Sequence, residues 1–222
     1  MDAFYRWPIK NFTLKKRCVS KLIYRLPSWA NNEQRLCQRF NSGMIKLYVI
    51  GVVMSWTGKL LHIHIAPEAS FEMEELSEAQ LVAGKGIVGD RYYLGRGTYS
   101  PKPDCREITL IEREALDALS RDDPPMQGES ISVDPGEHRR NLTVEGVPLN
   151  HLVGYRFQIG EVILSGGRLN FPCRYLENLL QRPVFLPLYN RSGLNCWIEK
   201  GGIIRPGDSI IPLNEATDKP HR

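Results

Sequence analysis

Over most of the chain, the hydrophobic pattern is that of short β-strands separated by glycine-rich turns. MIKLYVIGVVM (44–54) and KLLHIHIA (59–66) flank the turn SWTG, and Leu61, Ile63 and Ile65 alternate with polar residues in the second segment. Further strands are predicted in REITLI (106–111), NLTVEG (141–146), YRFQIG (155–160), EVILSGG (161–167), LNCWIEKGG (194–202) and IIRPGDSIIPL (203–213). The pattern therefore favours a fold dominated by β-structure.

His62 and His64 fall on the face of KLLHIHIA opposite the apolar residues. Two histidines on one strand face can ligate a metal, but the sequence offers no third ligand close by. We therefore expect a solvated strand face here rather than a metal site.

Three segments have the pattern of short helices. EREALDALS (112–120) places Ala115, Leu116 and Leu119 on one face, VPLNHLVG (147–154) is a short helical segment, and a third helix follows Pro172. Many short strands with few helices predict a mainly β fold, a β-barrel with a few short peripheral helices.

The charge distribution separates residues 1–43 from the rest of the chain. This segment carries nine Lys and Arg against Asp2 and Glu33, a net charge of +7, although the whole chain has only +4. A membrane-surface helix or a transit-like segment would fit it, but we favour a basic extension that is not a domain. We expect one domain over residues 44–213 and a tail over 214–222.

Composition excludes several classes of protein. The body of the chain has a net charge of −3, which does not suit a nucleic-acid module, and no apolar stretch is long enough for a transmembrane segment. The five cysteines form no C-x-x-C pair and no disulfide framework. We therefore expect a reducing compartment, the cytoplasm.

Three motifs contain candidate binding residues. GKGIVG (84–89) fits the dinucleotide fingerprint, but no helix pattern follows it, so we predict a glycine-rich bend between strands. In GDRY (89–92), Asp90 and Arg91 are expected to form a salt bridge or turn cap. GEHRRN (136–141) places two arginines and an asparagine before a strand, where a barrel mouth could hold an anion.

Cys173 lies between Pro172 and Arg174 at the start of an apolar-periodic run. Proline suits the first turn of a helix, so the cysteine is expected at a helix N-terminus. The helix dipole and Arg174 both favour a thiolate, which is a nucleophile or a soft metal ligand. The alternative is a buried, inert cysteine that serves only in packing.

Read in order, GKGIVGDRYYLGRGTYS, REITLIEREALDAL, GEHRRNLTVEGVPLNHLVGYRFQIGEVILSGGRLNFPC and RSGLNCWIEKGGIIRPGDSI resemble the MOSC family, the domain found at the C-terminus of molybdenum cofactor sulfurases. The resemblance covers about residues 44–213. It implies a β-barrel in which Cys173 is the functional thiol. It further implies cofactor contacts from Arg139 and Asn141, with Arg140 and Arg174 as additional candidates.

The resemblance leaves three functions open. The first is an oxidoreductase that reduces N-hydroxylated small molecules at molybdenum, which is held by a pterin and by the Cys173 thiolate, with electrons from a donor protein. The second is a sulfur carrier with a persulfide on Cys173, supplied by a cysteine desulfurase whose pyridoxal phosphate belongs to that partner. The third is a non-catalytic cofactor-binding or chaperone module.

This chain departs from the family at three points. Many relatives have RLC where this chain has RLN, so Asn170 argues against a two-cysteine chemistry. A tyrosine that some cofactor-binding relatives have in the late strand is replaced around Cys196. Residues 1–43 are also too few for the N-terminal barrel that often completes the pocket.

Overall fold

The computed structural model describes residues 54–100, 105–126 and 128–220. The predicted extension over residues 1–43 lies outside this part of the chain, and so does the strand predicted over 44–54 apart from Met54. The boundary at residue 44 therefore stays a prediction. In the described part of the chain, every helix is too short or too polar to cross a membrane.

Eleven strands are found within the described residues. In chain order they are β1 (Gly58–Ile65), β2 (Glu74–Glu75), β3 (Ala79–Val82), β4 (Gly86–Ile87), β5 (Ile108–Glu112), β6 (Leu142–Glu145), β7 (Tyr155–Ile159), β8 (Val162–Leu169), β9 (Leu194–Lys200), β10 (Gly202–Ile204) and β11 (Ser209–Ala216).

Seven of these strands form a closed barrel, which confirms the predicted fold class. Their order around the barrel is β1, β11, β7, β8, β9, β5, β6 and back to β1. All neighbours are antiparallel except β5 and β6, which pair in parallel. A parallel pair needs a crossover connection, and the connection between β5 and β6 contains a helix. β2 extends the barrel sheet beside β1, while β10, β3 and β4 form a separate sheet.

Two α-helices and one 3-10 turn occur in the described chain: α1 (Arg113–Ser120), α2 (Arg174–Leu180) and the turn Leu149–His151. In α1 the predicted face of Ala115, Leu116 and Leu119 is buried, which confirms that pattern. The helices are few and short because the apolar faces of the strands supply most of the core.

The core consists of two apolar clusters. The larger one fills the barrel with aliphatic side chains and the fully buried Phe157. The smaller cluster joins α1 and α2 through residues such as Leu119 and Leu176, and Cys173 packs against it. Burial of these side chains at roughly 25 cal/mol per Å² therefore fixes α2, and with it Cys173, against the barrel.

The predicted alternation along β1 is wrong at its first position. Leu60 and Ile63 are fully buried, whereas Leu61 is partly exposed, because the pairing of β1 with β6 shifts register between Leu60 and His62. Such a bulge moves every later side chain to the other face.

The strand face that carries the two histidines is covered at His64 by Gly136 and His138 rather than solvated. His64 is only 2% exposed, and His62 bonds through Nδ1 to Glu75 at 2.6 Å. The expected solvated face is therefore wrong for His64.

The GKGIVG segment forms a bend between strands, as predicted. Gly84 lies in the turn between β3 and β4 with φ +76°, and Gly89 follows β4 with φ +85°. The motif runs into turns and does not open a helix, so it lacks the context of a dinucleotide site.

Candidate functional site

A cavity of about 580 Å³ lies where the GDRY, GEHRRN and PC segments meet. Its volume is in the range of small-molecule and cofactor sites. Five arginines line it, and among the described residues no carboxylate does. These arginines are Arg91, Arg106, Arg139, Arg140 and Arg168. A cavity with this lining attracts an anionic ligand.

Cys173 lines this cavity at the start of α2. It is the N-cap residue, with extended backbone angles (φ −141°, ψ 154°), and its side chain is half-buried. The helix therefore begins at Arg174, two residues later than predicted, and Pro172 lies before the cap rather than in the first turn. The thiol is open to the cavity on one side and packed against the small apolar cluster on the other.

Tyr99 is the hydrogen-bond partner of the Cys173 side chain. Burial and this hydrogen bond raise the pKa of Tyr99, so its hydroxyl keeps its proton at neutral pH. Arg106 lies over the same ring, 4.6 Å from its centroid. A phenol therefore lies beside the thiol, and a cation lies over the ring of that phenol.

Arg174 is not brought into the cavity. Its side chain is exposed, and it is absent from the cavity lining. The N-cap geometry explains this, because the chain turns at Cys173 and Arg174 then begins the outward face of α2.

Arg139 enters the cavity from a strained backbone position. Its φ is +63°, a region that is costly for a residue with a Cβ atom. The guanidinium donates to the Phe71 carbonyl, and burial together with Arg91 lowers the pKa of Arg139. Local strain that places a cation in a cavity suggests a functional role.

Arg140 is a buried cation of the cavity, at 7% exposure. It donates to Ser192 O at 3.0 Å, to Ser192 Oγ at 2.5 Å and to His138 O at 2.7 Å, and no described carboxylate pairs with it. Burial lowers the pKa of Arg140 to about 10, while nearby Tyr92 and Cys173 raise it. A buried cation with only neutral partners is costly, and an anionic ligand would offset that cost.

Asn141 lies behind the cavity rather than in its lining. Its Nδ2 donates to Asp90 Oδ1 at 3.1 Å and to His64 O at 3.2 Å. Its Oδ1 accepts from Thr109 N at 3.2 Å and from Thr109 Oγ1 at 2.9 Å. These bonds use all its side-chain hydrogen-bonding capacity, which gives Asn141 a structural role, and the cofactor contact implied by the resemblance stays a prediction.

GDRY contains both a structural pair and a cavity residue. Asp90 Oδ1 and Arg91 Nη1 are 3.0 Å apart and almost fully buried, which confirms the predicted salt bridge. Arg91 Nη2 also donates to Arg139 O at 2.9 Å, and Arg91 lines the cavity. The sequence pattern indicated only a structural role for Arg91, so its place in the cavity lining was not predicted.

Arg106, Arg168 and Tyr99 were also missed as cavity residues. The signal in the sequence was weak, since each lies singly beside a strand or turn. The run RGTYS and the arginine of GGRLNFPC become informative only once the barrel brings them beside Cys173.

Two buried histidines lie next to the GEHRRN segment. The rings of His64 and His138 are edge to face with centroids 6.0 Å apart, and His62 is 6.0 Å from His64. Burial lowers the pKa of both His64 and His138, and nearby Arg140 lowers that of His138 further. Both are therefore neutral in the folded protein at neutral pH.

Because burial lowers the pKa of these histidines, we expect the free energy of unfolding to fall as the pH drops below neutral. Unfolded histidines take up protons near pH 6.5, whereas the folded ones do so only at lower pH, so acid favours the unfolded state. We expect urea unfolding to lose up to about 1.4 kcal/mol per pH unit per histidine just below pH 6.5. Burial raises the pKa of Glu107 and Glu112, which opposes this trend at lower pH.

His138→Asn, which removes one of these groups, should make the pH dependence shallower. An unfolding free energy that stays constant or rises between pH 7 and pH 6 would contradict this expectation.

Cys173 should be alkylated faster than the other described thiols. Cys105 and Cys196 are 5% and 0% exposed, and burial raises the pKa of Cys196 well above its ordinary value. Attack on either needs local opening, so Cys173 should react roughly tenfold faster or more at neutral pH. Brief iodoacetamide treatment followed by peptide mass spectrometry measures this, with urea-unfolded protein as the control. Equal rates in the folded protein would contradict the accessible position of Cys173.

No group of three or more His, Cys, Asp or Glu side chains suited to a metal occurs among the described residues. A metal at Cys173 would therefore share at most one further side chain of these four types among the described residues.

The fold and the site together define a class, a small β-barrel protein with a thiol in an arginine-lined cavity. The model of the MOSC domain matches residues 80–211, and this chain belongs to the MOSC domain family. That family is associated with the molybdenum cofactor.

Solved structures share the fold. The YuaD protein from Bacillus subtilis is 22% identical with a TM-score of 0.58, covering 70% of this chain and 97% of its own. YiiM from Geobacillus stearothermophilus is 14% identical with a TM-score of 0.52, covering 70% of this chain and 75% of its own. YiiM from Escherichia coli is 17% identical with a TM-score of 0.51, covering 72% of each chain. A comparison with curated proteins gave no match.

Proposed function

We propose that this protein binds the molybdenum–pterin cofactor in the cavity and reduces N-hydroxylated small molecules. The observation that supports this most strongly is the meeting of an accessible thiol with five arginines in one cavity. Arginines bind phosphate through charge-assisted hydrogen bonds, and a thiolate is a suitable ligand for a soft metal.

The residues of the cavity fit this cofactor. Arg140 is a buried cation without a described carboxylate partner, and Arg139 is held in the cavity despite backbone strain. Both would donate charge-assisted hydrogen bonds to phosphate oxygens. Cys173 would supply a thiolate, a ligand that suits a soft metal. The bound cofactor would supply the redox chemistry at molybdenum.

The remaining cavity residues would orient and shield the ligand. Tyr99 donates its hydroxyl proton toward the sulfur, which would hold the thiolate in one direction. Phe171 and Tyr175 contribute apolar surface that limits water in the cavity.

Electrons for the reduction would come from a separate donor protein, since the sequence has no ferredoxin-like cysteine cluster. Reduced thiols fit the cytoplasm as the place of action.

The second candidate is a sulfur carrier, favoured by the accessibility of Cys173. A half-buried thiol at the edge of an open cavity can accept sulfur from a cysteine desulfurase and release it to an acceptor. In that case pyridoxal phosphate belongs to the desulfurase, and the arginines would hold the cofactor only while sulfur is delivered.

Elemental analysis of freshly purified full-length protein tests both candidates. Roughly stoichiometric molybdenum with releasable pterin supports the oxidoreductase. Cyanide-labile sulfur without molybdenum supports the sulfur carrier. Protein from cells that make the cofactor but with neither molybdenum nor labile sulfur would contradict both.

Arg139→Ala should lower cofactor retention more than stability. Loss of one hydrogen bond to a charged group costs about 1.5–3 kcal/mol, which corresponds to roughly tenfold weaker retention or more. Stability should change little, because the substitution also removes a buried charge. Molybdenum content and thermal midpoint are measured together.

Arg96→Ala is the matched control for this variant, because Arg96 pairs with Glu68 on the surface outside the cavity. Equal molybdenum retention in Arg139→Ala and the parent protein would show that GEHRRN is only a structural turn.

A further inference from the structure

His138 holds Arg140 from two sides. The backbone N–H of Arg140 donates to His138 Nδ1 at 3.0 Å, and the Nη1 of Arg140 donates to the His138 carbonyl at 2.7 Å. His138 is itself 0% exposed. One buried residue therefore fixes both the main chain and the guanidinium of Arg140, a buried cation of the cavity.

The tautomer of His138 follows from these partners. A backbone N–H can only donate, so Nδ1 must be the unprotonated acceptor. The ring proton then lies on Nε2, which is 3.1 Å from Thr143 Oγ1 and donates to it. Thr143 lies on β6 and is 2% exposed, so a barrel strand holds the ring through Nε2, while the Arg140 N–H selects the tautomer.

The opposite tautomer is incompatible with this arrangement. A proton on Nδ1 would face the N–H of Arg140, and two buried donors would oppose each other without an acceptor. The charged form is also disfavoured by burial and by its neighbours, which include Arg140, His64 and His62. The neutral Nε2–H form is the one that the surrounding groups accept.

From this geometry we infer that Thr143, His138 and Arg140 form a positioning chain, in which the barrel strand fixes the orientation of the histidine ring and the histidine positions the anion-binding arginine. The inference rests on the proposed function, in which Arg140 holds an anionic group. His138 is a positioning residue because it acts on the ligand only through Arg140.

Two substitutions at position 138 separate the roles of the two ring nitrogens. In His138→Asn the side-chain oxygen lies near the position of Nδ1 and can still accept from the N–H of Arg140. In His138→Gln the longer amide reaches toward Thr143 and takes the place of Nε2 instead. Both variants remove the ring, so they share the packing loss and differ in the retained hydrogen bond.

The probe is inorganic pyrophosphate, bound to full-length protein from cells that cannot make the molybdenum cofactor and measured by calorimetry. We expect His138→Asn to bind within about threefold of the parent and His138→Gln roughly tenfold more weakly, as for the loss of one hydrogen bond. Equal affinity in the two variants, whether strong or weak, overturns the positioning chain.

Thr143→Val provides an independent test when a position-138 variant does not fold. It removes the acceptor for Nε2 and leaves the ring in place, so pyrophosphate affinity should fall severalfold. The imidazole should keep its Nε2 proton, because Nδ1 still accepts from Arg140, and its ¹⁵N signal at Nε2 should shift on loss of the acceptor. Unchanged ring signals and affinity overturn the role of Thr143.

Arg140→Gln separates this inference from the proposed function. If Arg140→Gln abolishes pyrophosphate binding while the two His138 variants bind equally, only the positioning chain fails. If Arg140→Gln binds as the parent does, Arg140 is not the anion-binding group and the proposed cavity role fails.

Discussion

Cys173→Ser is expected to leave a folded barrel that has lost its bound molybdenum or labile sulfur. The substitution changes one atom at a half-buried N-cap position, and serine is itself a favoured N-cap residue. The thermal midpoint should therefore stay within a few degrees of the parent.

The functional loss should be much larger than this structural effect. A serine hydroxyl is a poor ligand for a soft metal and cannot carry sulfane sulfur. We expect molybdenum content to fall by roughly tenfold or more, because a residue that only supports a metal ligand already has an effect of this size. Under the sulfur-carrier proposal, the persulfide content should fall instead. Both quantities are measured with activity on the same preparation.

Cys105→Ala is the matched control, because it removes a buried thiol that does not line the cavity. This variant should keep its molybdenum or sulfur even where its stability falls. A Cys173→Ser protein with unchanged metal, sulfur and activity would show that Cys173 serves only in packing.

Asn141→Ala is expected to give the largest loss of stability among the residues of GEHRRN. The asparagine bonds to Asp90, His64 and Thr109 in a fully buried position. Its removal leaves several buried polar groups without partners, at about 1–3 kcal/mol each. We expect the free energy of unfolding to fall by about 4 kcal/mol in urea titration.

Asn150→Ala is the control for this variant, because Asn150 is exposed and its side chain donates to Asn190 O at 2.8 Å. It should change stability by less than about 1 kcal/mol. If Asn141→Ala remained as stable as the parent and lost only cofactor, Asn141 would contact the cofactor directly, as the family resemblance implied.

Most of the barrel could be predicted because antiparallel strands leave a period-two pattern in the sequence. REITLI, YRFQIG and LNCWIEKGG correspond to β5, β7 and β9. The face of α1 was also visible, since Ala115, Leu116 and Leu119 follow the period of a helix. These patterns involve only residues within one strand or helix, so they can be recognised without knowledge of the fold.

The bulge in β1 could not be predicted, because it depends on how β1 pairs with β6 rather than on its own residues. The burial of His64 could not be predicted either, because the residues that cover it, Gly136 and His138, come from a distant segment. Register is a property of two strands, and a single sequence segment contains only one of them.

The site was visible only where its residues are adjacent in sequence. GEHRRN drew attention to Arg139 and Arg140, but the alternation of a short segment could not tell that Asn141 points behind the cavity. Arg91, Arg106 and Arg168 come from three separate segments and meet only in the folded barrel. The clustering of these positive charges in one cavity therefore depends on the topology of the barrel and could not be predicted from any one segment.

The closing pair of the barrel has a consequence for synthesis in the cell. Lys59 on β1 pairs with Ser209 on β11, so about 150 residues separate the two strands that complete the ring. At typical translation rates, roughly ten seconds or more pass before β11 is made. During that interval the edge of β1 that β11 later covers presents unpaired N–H and C=O groups, a template for misassembly with another nascent chain. We expect nascent chains truncated before β11 to depend on chaperones and to aggregate without them, while chains that include β11 become protease-resistant.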